Sequence, residues 1–242
     1  MITSSSSAAR DPYRHAHWGF LLALSAIVGG FWPSFFRSLS AGETWHTLHG
    51  VTATLWVIAL AVQSYLAASG LMRWHRTVAA LALVLLAAMC VAALRMVAAM
   101  QSNPGMPPSL PPLLAFIDLP SLAFLLLLVG LALGNVRRPP VHKRYMAATV
   151  LLALPPALSR LYARLFEPAV DFMTSLHASF LTVDVILLAL MFVDRQAGRR
   201  YAPYPLSLTF FVLVQLLMGP VGRSVVWRNF LGWYAGLPAF AG

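Results

Sequence analysis

Charge is what this chain has least of. Asp, Glu, Lys and Arg make up only 10% of its 242 residues, while 60% are hydrophobic; an ordinary soluble domain carries about 25% charged residues. Water is therefore not the main solvent of the fold. Cysteine occurs once, at Cys90, in the middle of an apolar run. That excludes a disulfide framework and a cysteine metal site, and it assigns Cys90 to packing. Lysine also occurs once, at Lys143, in a loop, so no span carries a lysine for a retinal Schiff base. There is no Gly-rich phosphate loop, no Gly-x-Ser-x-Gly elbow and no His-Glu-x-x-His pair. A net charge of +10 points to nucleic acid only when it lies on one face of a soluble module. Here the cations sit between apolar runs, and no nucleic-acid partner is expected.

The apolar runs themselves are the dominant feature. A helix that crosses a bilayer needs about 20 mostly apolar residues, and the sequence predicts seven such spans: 18–36, 46–68, 77–99, 113–133, 145–165, 174–193 and 205–221. The seventh is interrupted by Gln215 and shortened by Pro220 and Gly222. The expected fold is all-α, a polytopic transmembrane bundle of about seven helices forming one domain over 18–242, preceded by a flexible tail over 1–17 that holds Ser4 to Ser7, Arg10 and Pro12. A signal peptide cleaved near Ser38-Leu39-Ser40-Ala41 is disfavoured. The first run is too long for one, and it ends in Phe31-Trp32-Pro33-Ser34-Phe35-Phe36, an aromatic cluster suited to a membrane interface.

Loop charges set the expected orientation, because cytoplasmic loops retain Lys and Arg during insertion. With the N-terminus cytoplasmic, the inner segments hold Arg10, Arg14, Arg73, Arg76, Arg137, Arg138, Lys143, Arg144, Arg195, Arg199 and Arg200. The outer segments hold Arg37, Arg164, Arg223 and Arg228, a bias of eleven to four. The C-terminus is then on the opposite side, together with Glu43, Glu167 and Asp171. The loops are too short for a separate soluble domain, so any activity resides in the bundle or at its rims. The Ala-rich run from Val78 to Ala99 offers a small surface for close helix packing.

Ionisable groups are costly in hydrocarbon, which makes the polar residues within the spans the main functional signal. They are His46, His49, Arg95, Asp118, Arg160, His177 and Asp184, with Gln63 and Gln215 as neutral companions. Most fall towards the outer ends of their helices, and this predicts one polar pocket opening outward. Residues seven apart return to nearly the same helical face, so His49, Trp56 and Gln63 form one inward stripe, and His177 and Asp184 another. Pro155-Pro156 removes two backbone donors and predicts a kink beside Arg160.

Two pairings of histidine, His49 with His177 and His75 with His142, match what a two-haem membrane cytochrome needs, since each haem b iron takes two imidazoles from facing helices. His46, His49, His177 and Asp118 form an alternative transition-metal set. The structural readings stand beside these. His75 and His142 lie in Arg73-Trp74-His75-Arg76 and His142-Lys143-Arg144, where they would contact lipid phosphate or begin a helix. Asp118, two residues before Pro120, would cap the fourth helix and pair with Arg95. Gln63 and Gln215 would form interhelical hydrogen bonds.

His49-Gly50, Trp56, Gln63, His75-Arg76, His142-Lys143-Arg144-Tyr145-Met146 and Arg160 together resemble a group of bacterial multi-pass membrane proteins over about residues 46 to 200. That resemblance implies the bacterial cytoplasmic (inner) membrane and brings no chemistry with it. The paired histidines alone resemble the di-haem b-type membrane cytochromes, whose four ligands come from a compact four-helix core. Three functions stay open: a haem- or metal-binding redox protein; a transporter or binding protein in which Arg95 and Arg160 hold a small anion or lipid while Asp118, Asp184 and the histidines relay protons; and an accessory subunit of a membrane complex.

Overall fold

The computed structural model describes residues 13–38 and 43–240. The expected tail over 1–17 and the disfavoured cleavage stretch at 38–41 lie mostly outside those residues. The chain is 80% helical and, among the described residues, has no strand. Six segments of the described residues are long and apolar enough to cross a bilayer: α2 (Thr44–Ala68), α3 (Met72–Gln101), α4 (Leu110–Gly134), the pair α5 (Pro139–Leu151) and α6 (Leu154–Leu165) taken together, α7 (Phe172–Gln196) and α8 (Pro203–Gly222). Large side chains such as Leu81, Val84, Leu181, Val185, Phe192 and Leu216 are exposed along them. That much open apolar surface is normal against lipid and untenable in water.

The first span is shorter than expected. It is realised as α1 (Ala16–Phe31), of 16 residues, or about 24 Å at 1.5 Å per residue. The aromatic cluster leaves the helix instead of completing it, passing through a turn into a 3-10 helix over Phe36–Ser38. Pro33 is the local cause, because it has no N–H to offer the carbonyl of Gly29 four residues back. That carbonyl accepts a hydrogen bond from Nη2 of Arg164 instead.

The expected fifth span is divided. Pro155 and Pro156 cannot donate to the carbonyls of Leu151 and Leu152, and the helix separates into α5 and α6 at that point. Pro220, by contrast, is absorbed inside α8, which runs on to Gly222. A further helix, α9 (Val225–Ala235), was not anticipated. Its 11 residues cover about 16 Å, too little to cross a bilayer.

At two glycines the backbone of a neighbouring helix lies directly against the Cα. A Cβ at Gly30 would collide with the backbone carbonyl of Ala157, and one at Gly222 would lie 2.9 Å from Cα of Leu113. These contacts let α1 seat on α6 and α8 on α4, as small residues do in membrane bundles. The core between the helices includes Trp56, Leu128, Phe180, Leu187, Phe211 and Met218.

Candidate functional site

At the end of the bundle where α2 and α4 begin and α3 finishes, a cavity of about 710 Å³ is lined by Glu43, Thr44, Trp45, Arg95, Ala98, Ala99, Ser102, Ala235, Gly236 and Phe240. Glu43 occupies the N-cap position of α2. Its carboxylate accepts from Trp45 N–H at 3.0 Å and His46 N–H at 2.9 Å, and it lies 2.6 Å from His46 Nδ1. Partial burial pushes the carboxyl up, but these hydrogen bonds outweigh it and hold Glu43 below its ordinary value of 4.5. With its oxygens thus engaged, Glu43 is not an open partner for Arg95.

Arg95 comes from α3, with its guanidinium carbon 4.6 Å from the centre of the Trp45 ring. Stacking of this kind holds the guanidinium plane and leaves its edge donors to be satisfied elsewhere. Among the described residues Arg95 has no ion pair and no other hydrogen-bonding partner. The far wall belongs to α9, whose Trp227 Nε1 donates to Pro112 O at 2.8 Å and whose Tyr234 hydroxyl donates to Leu94 O at 2.7 Å. Burial pushes the Tyr234 hydroxyl up to about 12, so it remains a donor at any ordinary pH.

The single outward pocket predicted from the sequence is divided. Asp118 and Arg160 line a separate, much smaller cavity of about 30 Å³ with Pro155, Pro156, Ser159 and Phe172, enough for about one water. Arg160 donates to Pro156 O at 2.8 Å and lies over the Phe31 ring at 4.5 Å. It attracts Asp118 through space without a direct ion pair. Asp118 does not cap α4, because that helix already starts at Leu110 with prolines at its first positions and carries Pro120 inside it. Nor does it pair with Arg95.

The histidines take up separate places. His49 on α2 approaches the Met89 backbone of α3, with Nδ1 enclosed and unpartnered. His177 on α7 is bonded across to α8, where Gln215 Nε2 donates to the His177 carbonyl at 3.2 Å. Nδ1 of His75 meets the Gln63 carbonyl at 3.2 Å, and that of His142 meets the Ala132 carbonyl at 2.8 Å. Each thereby ties the first turn of α3 or α5 to the end of the preceding helix. α2 packs mainly on α1 and α3, and α7 on α6 and α8. His49 and His177 thus stand on helices with different main neighbours, and His75 and His142 are each held to the helix before them. No group of three or more His, Cys, Asp or Glu side chains among the described residues is placed to hold a metal ion, so His46, His49, His177 and Asp118 are not gathered into one set.

The inward stripes are realised in part. Trp56 is buried and its Nε1 donates to Thr149 Oγ1 at 3.3 Å. Gln63 Oε1 and Asp184 Oδ1 are enclosed without a hydrogen-bond partner.

Sequence reasoning missed the strongest polar contact. Arg144 is 0% exposed. Its Nε donates to Asp194 Oδ2 at 2.7 Å, its Nη2 to Asp194 Oδ1, and its Nη1 to Pro140 O at 2.6 Å. The guanidinium lies 4.3 Å from the Tyr13 ring centre and 4.0 Å from that of Tyr201. This clamp joins the approach to α1, the start of α5, the end of α7 and the approach to α8. Asp194 is followed closely by Arg195, Arg199 and Arg200 in the sequence, and nothing there points to Arg144.

The fold and its lipid-compatible surface define a polytopic α-helical membrane protein. Comparison with family models, curated proteins and solved structures gives no match.

Proposed function

We propose that this protein binds an anionic ligand at the end of the bundle that the loop charges assign to the outer side, with Arg95 as the charge anchor. The observation that carries this reading is a guanidinium held on Trp45, free of any acidic partner among the described residues, beside a cavity of about 710 Å³. A cation placed within a spanning helix is costly unless paired or put to use. Arg144 has its own carboxylate and Arg160 attracts Asp118; Arg95 has the cavity. Its planar fork suits a carboxylate or phosphate in two-bond geometry.

Thermal unfolding of detergent-purified protein against a panel of organic phosphates, carboxylates and anionic lipids tests the reading. A ligand present at about 100 times its Kd stabilises the protein by about 2.7 kcal/mol. The upward shift should disappear in Arg95→Gln and persist in part in Arg95→Lys. A shift that survives in Arg95→Gln would place the binding elsewhere.

A further inference from the structure

The ligand of this site can be specified further from the walls of the cavity, given that Arg95 is its anchor. We infer that the ligand is an amphiphile drawn sideways from the bilayer, with one phosphodiester headgroup on Arg95 and its hydrocarbon against α9.

Three features support this source over a free anion. The cavity is within the range of about 300–1,000 Å³ that encloses a drug-sized organic molecule, more space than a bare inorganic anion fills. Its lining is also mixed, with Arg95, Glu43, Thr44 and Ser102 giving polar surface and Ala98, Ala99, Ala235 and Phe240 giving apolar surface. The decisive feature is α9. It is too short to span, yet it exposes Val225, Val226 (81%) and Trp233 (62%) away from the bundle.

A short helix with apolar side chains turned outward and aromatics along its length belongs at the boundary between headgroups and acyl chains. Its inner side is held to the bundle by the bonds of Trp227 and Tyr234 to the ends of α4 and α3. The helix that lies in the lipid boundary therefore ends on the wall of the cavity, through Ala235 and Gly236. Glu43 narrows the headgroup class. Glu43 lines the same cavity, so a second negative charge on the ligand meets like-charge repulsion and a singly charged phosphodiester is preferred.

The test uses the full chain in phosphatidylcholine nanodiscs with two probes of the same headgroup charge: phosphatidylglycerol added to the disc, and its soluble deacylated phosphodiester, glycerophosphoglycerol, added to the buffer. Intact-complex mass spectrometry reads bound lipid, and calorimetry reads the soluble anion. Ala99→Phe fills the apolar side without touching the charge, and a thermal melt of each variant reports folding. The expected result is retention of phosphatidylglycerol by the wild type, with at least tenfold loss in Arg95→Gln and in folded Ala99→Phe, and no soluble binding at millimolar concentration. Glycerophosphoglycerol binding that depends on Arg95 but not on Ala99 would overturn the lipid source and leave the anion reading standing. No Arg95-dependent binding of either probe would overturn both. If Ala99→Phe fails to fold, Ala235→Leu substitutes for it at the opposite wall.

Discussion

Replacing Asp194 with Asn changes one atom and removes one charge from a buried ion pair. The Arg144 guanidinium would keep its bond to Pro140 O and its place between Tyr13 and Tyr201. It would keep one bond, to the amide oxygen, lose the other, and face an NH2 group that turns a donor towards it. Leaving one member of a buried pair uncompensated costs about 3–5 kcal/mol. At about 2–4 °C per kcal/mol for a chain of this size, the melting temperature should fall by about 6–20 °C. Cys90, the only cysteine and half-buried, supplies the assay: a thiol-reactive dye follows its exposure during heating in detergent. The paired substitution Arg144→Met with Asp194→Leu should recover most of the loss, since a well-packed apolar pair is often as stable as a buried ion pair. Asp184→Asn on the same helix is the control, because its carboxyl has no hydrogen-bond partner on Oδ1; it should shift the melt by less than about 3 °C, within the span of an ordinary substitution. An Asp194→Asn shift no larger than that of Asp184→Asn would refute the reasoning, as would a double variant no more stable than the single one.

Other parts of the account are open to equally direct checks. Gly30→Val should destabilise the bundle by about 1–3 kcal/mol, the usual cost of overpacking, because its side chain meets the Ala157 carbonyl; a melt unchanged from wild type would mean α1 and α6 are not so close. Tyr234→Phe removes the donor to Leu94 O and should cost about 1 kcal/mol, seen as faster amide exchange in 225–235 with the remaining helices unaffected. The Glu43 cap is strengthened by a carboxyl held below its ordinary value. Its contribution is therefore complete at neutral pH and lost as the pH falls through a value below 4.5. Amide protection over 44–48, corrected for the intrinsic pH dependence of exchange, should persist at pH 5 and be lost only on acidification below 4.5; protection already lost at pH 6 would contradict the assignment.

Hydropathy was enough to locate six crossings, because length and apolarity are what lipid demands of a helix. It overextended the first: Trp32 to Phe36 are apolar enough to continue a span, but Pro33 cannot continue the hydrogen-bond ladder. The division at Leu152 was legible as a kink from Pro155-Pro156. Arg95 was legible as a charge near a helix end, and the structure provides its cavity. The clamp was not legible. Arg144 counted as a loop cation, and nothing local links it to a carboxylate 50 residues further on. The same limit explains the divided pocket: helical depth places His49, Asp118 and His177 at one end of the bundle, but only packing decides which helices are neighbours. α9 went unread because a crossing was the only membrane element sought, although Trp227, Phe230 and Tyr234 recur at helical spacing and their rings touch.

The measurement that bears most directly on the central claim is intact-mass analysis of protein extracted gently from its expression membrane, wild type beside Arg95→Gln, at matched folding. The account predicts a co-purifying anionic lipid on the wild type, one per chain, that is absent from Arg95→Gln. Equal lipid retention by the two proteins, or none on either after phosphatidylglycerol is supplied, would contradict it.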